Sequence, residues 1–199
     1  MSSVPKITAS DVQVAVARLF NWRQHIIIPN VSWGIGLRHE ADLVVLSKSG
    51  YLKEIEIKVS ASDIKADMRK GPRWARVMGD QDAMGYSFHM EGPIRQLFFA
   101  VPEHLADNPN IPEKAGIIAV RWEEPYNHLE KHRLGRYAAR IIRAASVRKE
   151  AIPLKESEIR HLLHMGCMRV WSLKEKIMQM RREPIRNKLP LVRPRRCSP

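Results

Sequence analysis

Cysteine is scarce. The chain has two, Cys167 and Cys197, and neither belongs to a CxxC pair or stands at zinc spacing. That usage fits a reducing compartment. Long apolar runs are missing, and no stretch approaches the ~18 residues needed to span a bilayer, so no membrane association is expected. The opening MSSVPKITASD has no apolar core, so no secretory signal is expected and a cytoplasmic location is. There is no glycine-rich phosphate loop, no nucleophilic serine or cysteine motif, no HExxH and no internal repeat. Acids are also in deficit: 21 Asp and Glu stand against 34 Lys and Arg, a formal net charge of +13 over 199 residues. Such a balance favours a polyanionic partner, most often nucleic acid.

What is present suffices for a core, with 44% hydrophobic residues. A helix is predicted from Ser10-Asp11, with Val12, Val16, Leu19 and Phe20 at helical spacing. His25–Ile28 reads as a short strand ended by Pro29. Ala41–Ser47 and Tyr51–Val59 read as two strands, and Ala61–Lys70 as a helix with Ser60 or Ser62 as cap. QLFFAV (residues 96–101) and GIIAVRW (residues 116–122) complete the strands.

The periodicity of Leu134–Lys149 predicts a helix carrying a stripe of Arg136, Arg140 and Arg143. Beyond Pro153, two helices are expected with a turn at Gly166, and Trp171 reads as core among Leu162, Met168 and Ile177. A second reading has Trp171, Arg169 and Lys174 clamping a nucleic-acid strand. Residues 181–199 hold seven Lys and Arg against one acid, with four prolines, and read as a flexible basic tail. The division expected is 1–150 as the main domain, 151–180 as a helical extension and 181–199 as the tail.

The informative stretch is HEADLVVLSKSGYLKEIEIKVSASD, residues 39–63, a hairpin pattern carrying Glu40, Asp42, Glu54, Glu56 and Lys58. A three-residue Lys48-Ser49-Gly50 loop suits a type I turn followed by a left-handed glycine. It sets Asp42 opposite Glu56, Glu40 opposite Lys58 and Val44 opposite Glu54 on one face, with Ala41/Ile57 and Leu43/Ile55 on the other. Two carboxylates ~4 Å apart repel by about 1 kcal/mol in water and about 4 at an effective dielectric of roughly 20. Such a pair calls for solvation, a proton or a divalent cation, and carboxylate oxygens with waters are what Mg²⁺ or Mn²⁺ prefers. The competing reading is the polar outer face of an antiparallel sheet, against which Val44 and Leu46 share the acids' face. His39 is expected on the opposite face, and Glu54 is expected to be peripheral. The pairs His161/His164 and His128/His132 have metal-compatible spacing but read as ordinary surface or core histidines.

An acid, a hairpin turn, Glu-x-Lys and then a helix resemble the PD-(D/E)XK nuclease superfamily. EIKVSASDIKADMRK followed by QLFFAVPEHL resembles its MmcB-type, DNA-repair-associated branch, over about residues 10–122. The resemblance implies a restriction-endonuclease-like αβββαβ core with a mixed central sheet, plus a helical C-terminal extension and basic tail. It implies Mg²⁺, with Mn²⁺ substituting, on Asp42, Glu56 and the Ile57 carbonyl, with Glu40 as an auxiliary ligand. Lys58 would position or activate the attacking water, and Ser60 and Asp63 would support the site or cap the helix. The first helix carries Asp11 and Gln13 where many relatives have a ligating glutamate.

DNA is the expected partner, bound by Arg136, Arg140, Arg143, Arg181, Arg182, Arg193, Arg195 and Arg196, and a homodimer is admitted. The function expected is a Mg²⁺-dependent DNA nuclease in repair, recombination or phage DNA processing. The alternatives are a non-catalytic DNA-binding protein on that scaffold and an RNA-binding or RNA-processing module.

Overall fold

A computed structural model describes residues 6–35, 37–68, 92–124 and 135–186. Its centre is one six-stranded mixed sheet whose spatial order follows the chain: β1 (Ile26–Gly34), β2 (Leu37–Leu46), β3 (Leu52–Ile57), β4 (Ile94–Pro102), β5 (Gly116–Glu123) and β6 (Arg136–Arg143). β1–β2–β3 are antiparallel, β3–β4–β5 are parallel, and β6 returns antiparallel to β5. Among the described residues three α-helices flank it: α1 (Ala9–Leu19), α2 (Ala61–Met68) and α3 (Glu156–Arg186). The predicted αβββαβ order is therefore present, extended by β5, β6 and α3.

α1 starts where Thr8 and Asp11 form a reciprocal cap, the Asp11 N–H donating to Thr8 Oγ1 and the Thr8 N–H to Asp11 Oδ2. Its Val12, Ala15 and Val16 pack on one sheet face against Leu43, Ile55, Phe98 and Ile118. The other face carries two apolar clusters. One joins α3 (Leu162, Met165) to Ile28, Val31, Val44, Leu46 and Leu52. The second joins α2 (Ile64) to Leu97, Phe99, Val101 and Ile117.

Several expectations change. Residues 136–143 are a strand, not a helix. Alternation suits them as well as helical spacing does, and β5 offers an edge that β6 pairs in register from Ile118/Ile141 to Glu123/Arg136. Tyr137 locks that pairing edge-on to Trp122, with ring centroids 5.1 Å apart. Pro29 does not end β1. It pairs with Leu43 inside a nine-residue strand, which is tolerable because β1 is a sheet edge.

Gly166 is no turn. α3 runs unbroken through it, and a Cβ there would lie 3.2 Å from Ile28 Cδ1, so the glycine serves close helix–sheet approach. Trp171 is 65% exposed rather than core. α3 also continues past residue 180 to Arg186, and the tail beyond lies outside the described residues, as does the segment 69–91.

The hairpin forms with the expected register, Leu43 opposite Ile55, Val44 opposite Glu54 and Leu46 opposite Leu52. Gly50 takes φ +81° and its N–H donates to the Ser47 carbonyl. Farther from the turn, alternation fails. Leu37 and Ala41 sit on the α3 face, as do Val44 and Leu46, so β2 shifts phase by one residue between 41 and 44. β1 shifts as well: Ile28 and Val31 share that face, with Asn30 between them at φ +51°. Because both strands shift at opposed positions, Pro29/Leu43 and Val31/Ala41 stay in one register.

Candidate functional site

At the paired phase shift, Asp42 turns out of the normal alternation. The hydrogen-bonded pairs counted from Ser47/Tyr51 would bring the Ile57 N–H to the Ala41 carbonyl. Instead that N–H donates to Asp42 Oδ2 at 2.8 Å. The Asp42 carbonyl accepts from Gln13 Nε2 of α1 at 3.1 Å, and the same amide donates to Asn30 Oδ1 at 3.1 Å. Gln13, which sequence reasoning noted only as a missing glutamate, is thus the clamp across the β1–β2 irregularity.

The consequence falls on the α3 face. Among the described residues, Glu54 and Glu56 are the charged side chains buried almost completely, at 0% and 2% exposure. β3 alternation puts both on that face, and parallel pairing sets Glu54 beside Leu97 and Glu56 beside Phe99. They occupy the seam between the two apolar clusters under α3 and α2. The phase shift brings His39 to them: its Nε2 lies 2.5 Å from Glu54 Oε1. Lys58 Nζ donates to Glu56 Oε2 at 3.1 Å. One donor atom each from His39, Glu54 and Glu56 lie within 4.8 Å of one another.

Burying two carboxylates together is costly unless cations offset them. Lys58 supplies one positive charge, and His39 supplies a second when protonated. A divalent cation meets the same requirement. Two carboxylates and an imidazole form a mixed oxygen and nitrogen donor set, compatible with Mn²⁺ and other first-row ions as well as with oxygen-preferring Mg²⁺.

His39 therefore does not point away from the acids, and Glu54 is not peripheral. Both expectations came from carrying strict alternation through Asp42. The sequence carries no signal of this: Leu37, Ala41, Leu43 and Val45 all fall at odd positions, so alternation reads as unbroken. The packing alone puts Leu37 and Ala41 with Val44 and Leu46, and Leu43 and Val45 on the opposite face.

The other expected residues are placed as follows. Glu40 is exposed, opposite Ser32 on β1. Ile57 joins the site through the N–H that Asp42 accepts, and the next N–H, of Lys58, donates to the Ala100 carbonyl. Ser60 caps α2, its Oγ accepting from the Asp63 N–H at 3.2 Å, and Asp63 lies exposed in the first turn.

Arg136 and Arg140 are exposed on β6, three strands from β3, roughly 14 Å at normal strand spacing. Arg140 pairs with Glu103 at 2.7 Å. Arg143 does not share their stripe. Beyond a register shift it donates to the carbonyls of Ala115 and Pro112, tying β6 to the loop before β5. Arg181 is exposed on α3; the side chain of Arg182, and Arg193, Arg195 and Arg196 entirely, lie outside the described residues, as do His128 and His132. No described helix is long and apolar enough to cross a membrane.

Fold and site together define a mixed-sheet α/β protein with a buried carboxylate–imidazole cluster able to hold a metal ion. The chain belongs to the MmcB-like family: the family model described as DNA repair protein MmcB-like matches residues 5–176. Its function is accordingly tied to DNA repair. Among solved structures it is similar in fold to a protein of unknown function from Silicibacter pomeroyi. The two are 16% identical, the match covers 97% of this chain and 100% of that one, and the TM-score is 0.50. No curated protein matches the chain.

Proposed function

We propose that this protein is a metal-dependent deoxyribonuclease that hydrolyses phosphodiester bonds during DNA repair. One observation carries the reading: two carboxylates, an imidazole and an ammonium group converge in the sheet seam where β2 bends away from β3. The residues fit a divalent cation by donor chemistry and by charge. Glu56, Glu54 and His39 would hold it; Asp42 is not in this group, and its carboxylate instead accepts from the Ile57 N–H.

A bound Mg²⁺ or Mn²⁺ would lower the pKa of a coordinated water and offset charge building on the phosphoryl oxygens. Lys58 would hold the attacking water or a non-bridging phosphate oxygen through its ammonium. The exposed cations Arg136, Arg140 and Arg181 would contribute non-specific attraction to the phosphate backbone.

The deciding experiment offers supercoiled, linear, single-stranded and branched DNA to the purified protein with Mg²⁺, Mn²⁺ or EDTA. Metal-dependent cleavage is expected, lost in Glu56→Gln and Lys58→Ala, with DNA binding retained. Cleavage that survives both substitutions would overturn the site.

A second reading follows from the His39–Glu54 and Lys58–Glu56 pairs, which can neutralise the cluster without metal. It makes the protein a DNA-binding member of a nuclease-like fold without turnover. Binding without cleavage on every substrate would select it.

A further inference from the structure

α3 is 31 residues long, but only its first part rests on the sheet. Leu162 and Met165 are buried there, and Gly166 approaches Ile28. From Cys167 to Arg181 every described side chain is exposed, a length of roughly 22 Å. Arg169, at the start of this span, still reaches the Asn30 carbonyl. A helix of that length gains little stability alone in water.

The exposed span is not polar. Val170, Leu173, Ile177 and Met180 are 55%, 57%, 37% and 60% exposed. Their spacing of three, four and three residues is a heptad seam, and it continues the stripe of Ile159, Leu162 and Gly166 that seats the helix on the body. With Val170 and Ile177 at a positions, Leu173 and Met180 fall at d. β-branched residues at a with leucine at d favour a two-stranded coiled coil. The seam is a narrow line, unlike the broad apolar face of a helix lying in a membrane surface, and Trp171 and Met178 fall to one side of it.

The flanks identify the partner. Lys174 and Arg181 occupy e positions, and Arg169 and Lys176 occupy g positions. Within residues 167–181 no acid flanks the seam, and Glu175 lies on the back of the helix; Glu183 follows beyond the last seam residue, Met180. In a parallel pair of identical helices, g would face e′ as Arg169–Lys174′ and Lys176–Arg181′. In an antiparallel pair, cations would again face cations. Like charges at these positions oppose pairing, whereas glutamates there would select it.

We propose that residues 167–181 of α3 form a docking helix for a partner protein, which pairs with it through an acidic amphipathic helix in a two-stranded coiled coil. The partner presents apolar a and d positions and carboxylates at e and g. The seam residues Val170, Leu173, Ile177 and Met180 lie on a different element from the Glu54–Glu56 cluster.

The test uses the full chain and a synthetic three-heptad peptide with Ile at a, Leu at d and Glu at e and g. A matched peptide carries Lys at e and g. Calorimetry should show binding of the acidic peptide, weakened by added salt, and none of the basic one. Leu173→Glu with Ile177→Glu should weaken binding about tenfold or more while circular dichroism stays unchanged, since both residues are exposed. Lys174→Glu, Lys176→Glu and Arg181→Glu together should reverse the preference toward the basic peptide.

Failure of the acidic peptide to bind, or equal binding of both peptides, would overturn the proposal. So would a dimer of the protein alone, seen by sedimentation and dissolved by Leu173→Glu, because a second copy would then fill the seam. Binding to phosphatidylglycerol vesicles or duplex DNA that depends on Leu173 and Ile177, with the acidic peptide inert, would overturn it as well.

Discussion

The two ends of the β2–β3 hairpin are built on different rules. Near the turn, side chains alternate strictly, Gly50 supplies the left-handed residue, and the register from Leu46/Leu52 to Leu43/Ile55 is regular. At the open end, Asn30 adopts positive φ, Asp42 places its carboxylate where a ladder carbonyl belongs, and Gln13 reaches across from α1. The regular end holds apolar core. The irregular end gathers His39 to Glu54 and Glu56. The difference teaches that the candidate site is made by breaking the pleat once, in two strands at opposed positions, and not by the pleat itself.

The largest expected effect tests the irregular end. Glu56→Gln keeps the shape and removes a charge, so metal-dependent DNA cleavage, assayed on supercoiled plasmid, should fall by roughly 10²–10³. Folding, followed by urea denaturation, should survive, because the glutamine keeps an oxygen that can accept from Lys58 Nζ.

Asp42→Ala tests whether the carboxylate on the Ile57 N–H holds the break in place. Leaving that part-buried donor unmatched should cost about 1–3 kcal/mol in urea denaturation, while Asp42→Asn, which keeps an acceptor oxygen, should cost less. Equal losses for the two would show that charge, not the hydrogen bond, matters there.

Asn30→Val puts a β-branched residue at φ +51° and should destabilise by about 1–2 kcal/mol beyond Asn30→Gly, which loses only the hydrogen bond from Gln13 Nε2. If Asn30→Gly also lowers cleavage, the Asn30–Gln13 bond positions the cluster beyond its effect on the backbone.

The regular end should respond only in stability. Gly50→Ala is expected to cost about 1 kcal/mol, because φ is +81° and the added Cβ would lie 3.1 Å from Pro153 Cβ. Its metal-dependent cleavage, measured below the unfolding transition, should match the unsubstituted protein. A loss of cleavage there would erase the contrast between the two ends.

The helical and extended segments that depend on near neighbours were readable in advance. The capped start of α1, the hairpin turn at Gly50, the Ser60 cap of α2 and the apolar β4 all rest on residues within a few positions of one another. β6 was not readable, because YAARIIR satisfies two periods and an unfilled edge of β5 chose between them. Gly166 misled for a related reason: a glycine at a helix break and one under a close neighbour look the same in sequence, and Ile28 decides which it is. At the site, Glu56 and Lys58 were visible as a charged triplet in an apolar strand. His39 was missed because one phase shift reverses which β2 side chains share the acids' face, and Glu54, though placed on the right face, was read as peripheral because its partner His39 was not expected there.

The sequence by itself determined the hairpin register, the placement of Glu54, Glu56 and Lys58 on one face, and the strong positive charge. Each follows from local geometry or from composition, with no distant contact required. Tertiary structure alone decided that Asp42 lies along the sheet, that His39 joins the acids, that residues 136–143 form a strand and that α3 overhangs the body. Those outcomes depend on partners far along the chain: Gln13 for Asp42, Asn30 opposite it in β1, β5 for β6 and Ile28 for Gly166. A local pattern carries no record of which distant group will satisfy a backbone or fill a seam, so folding settles it.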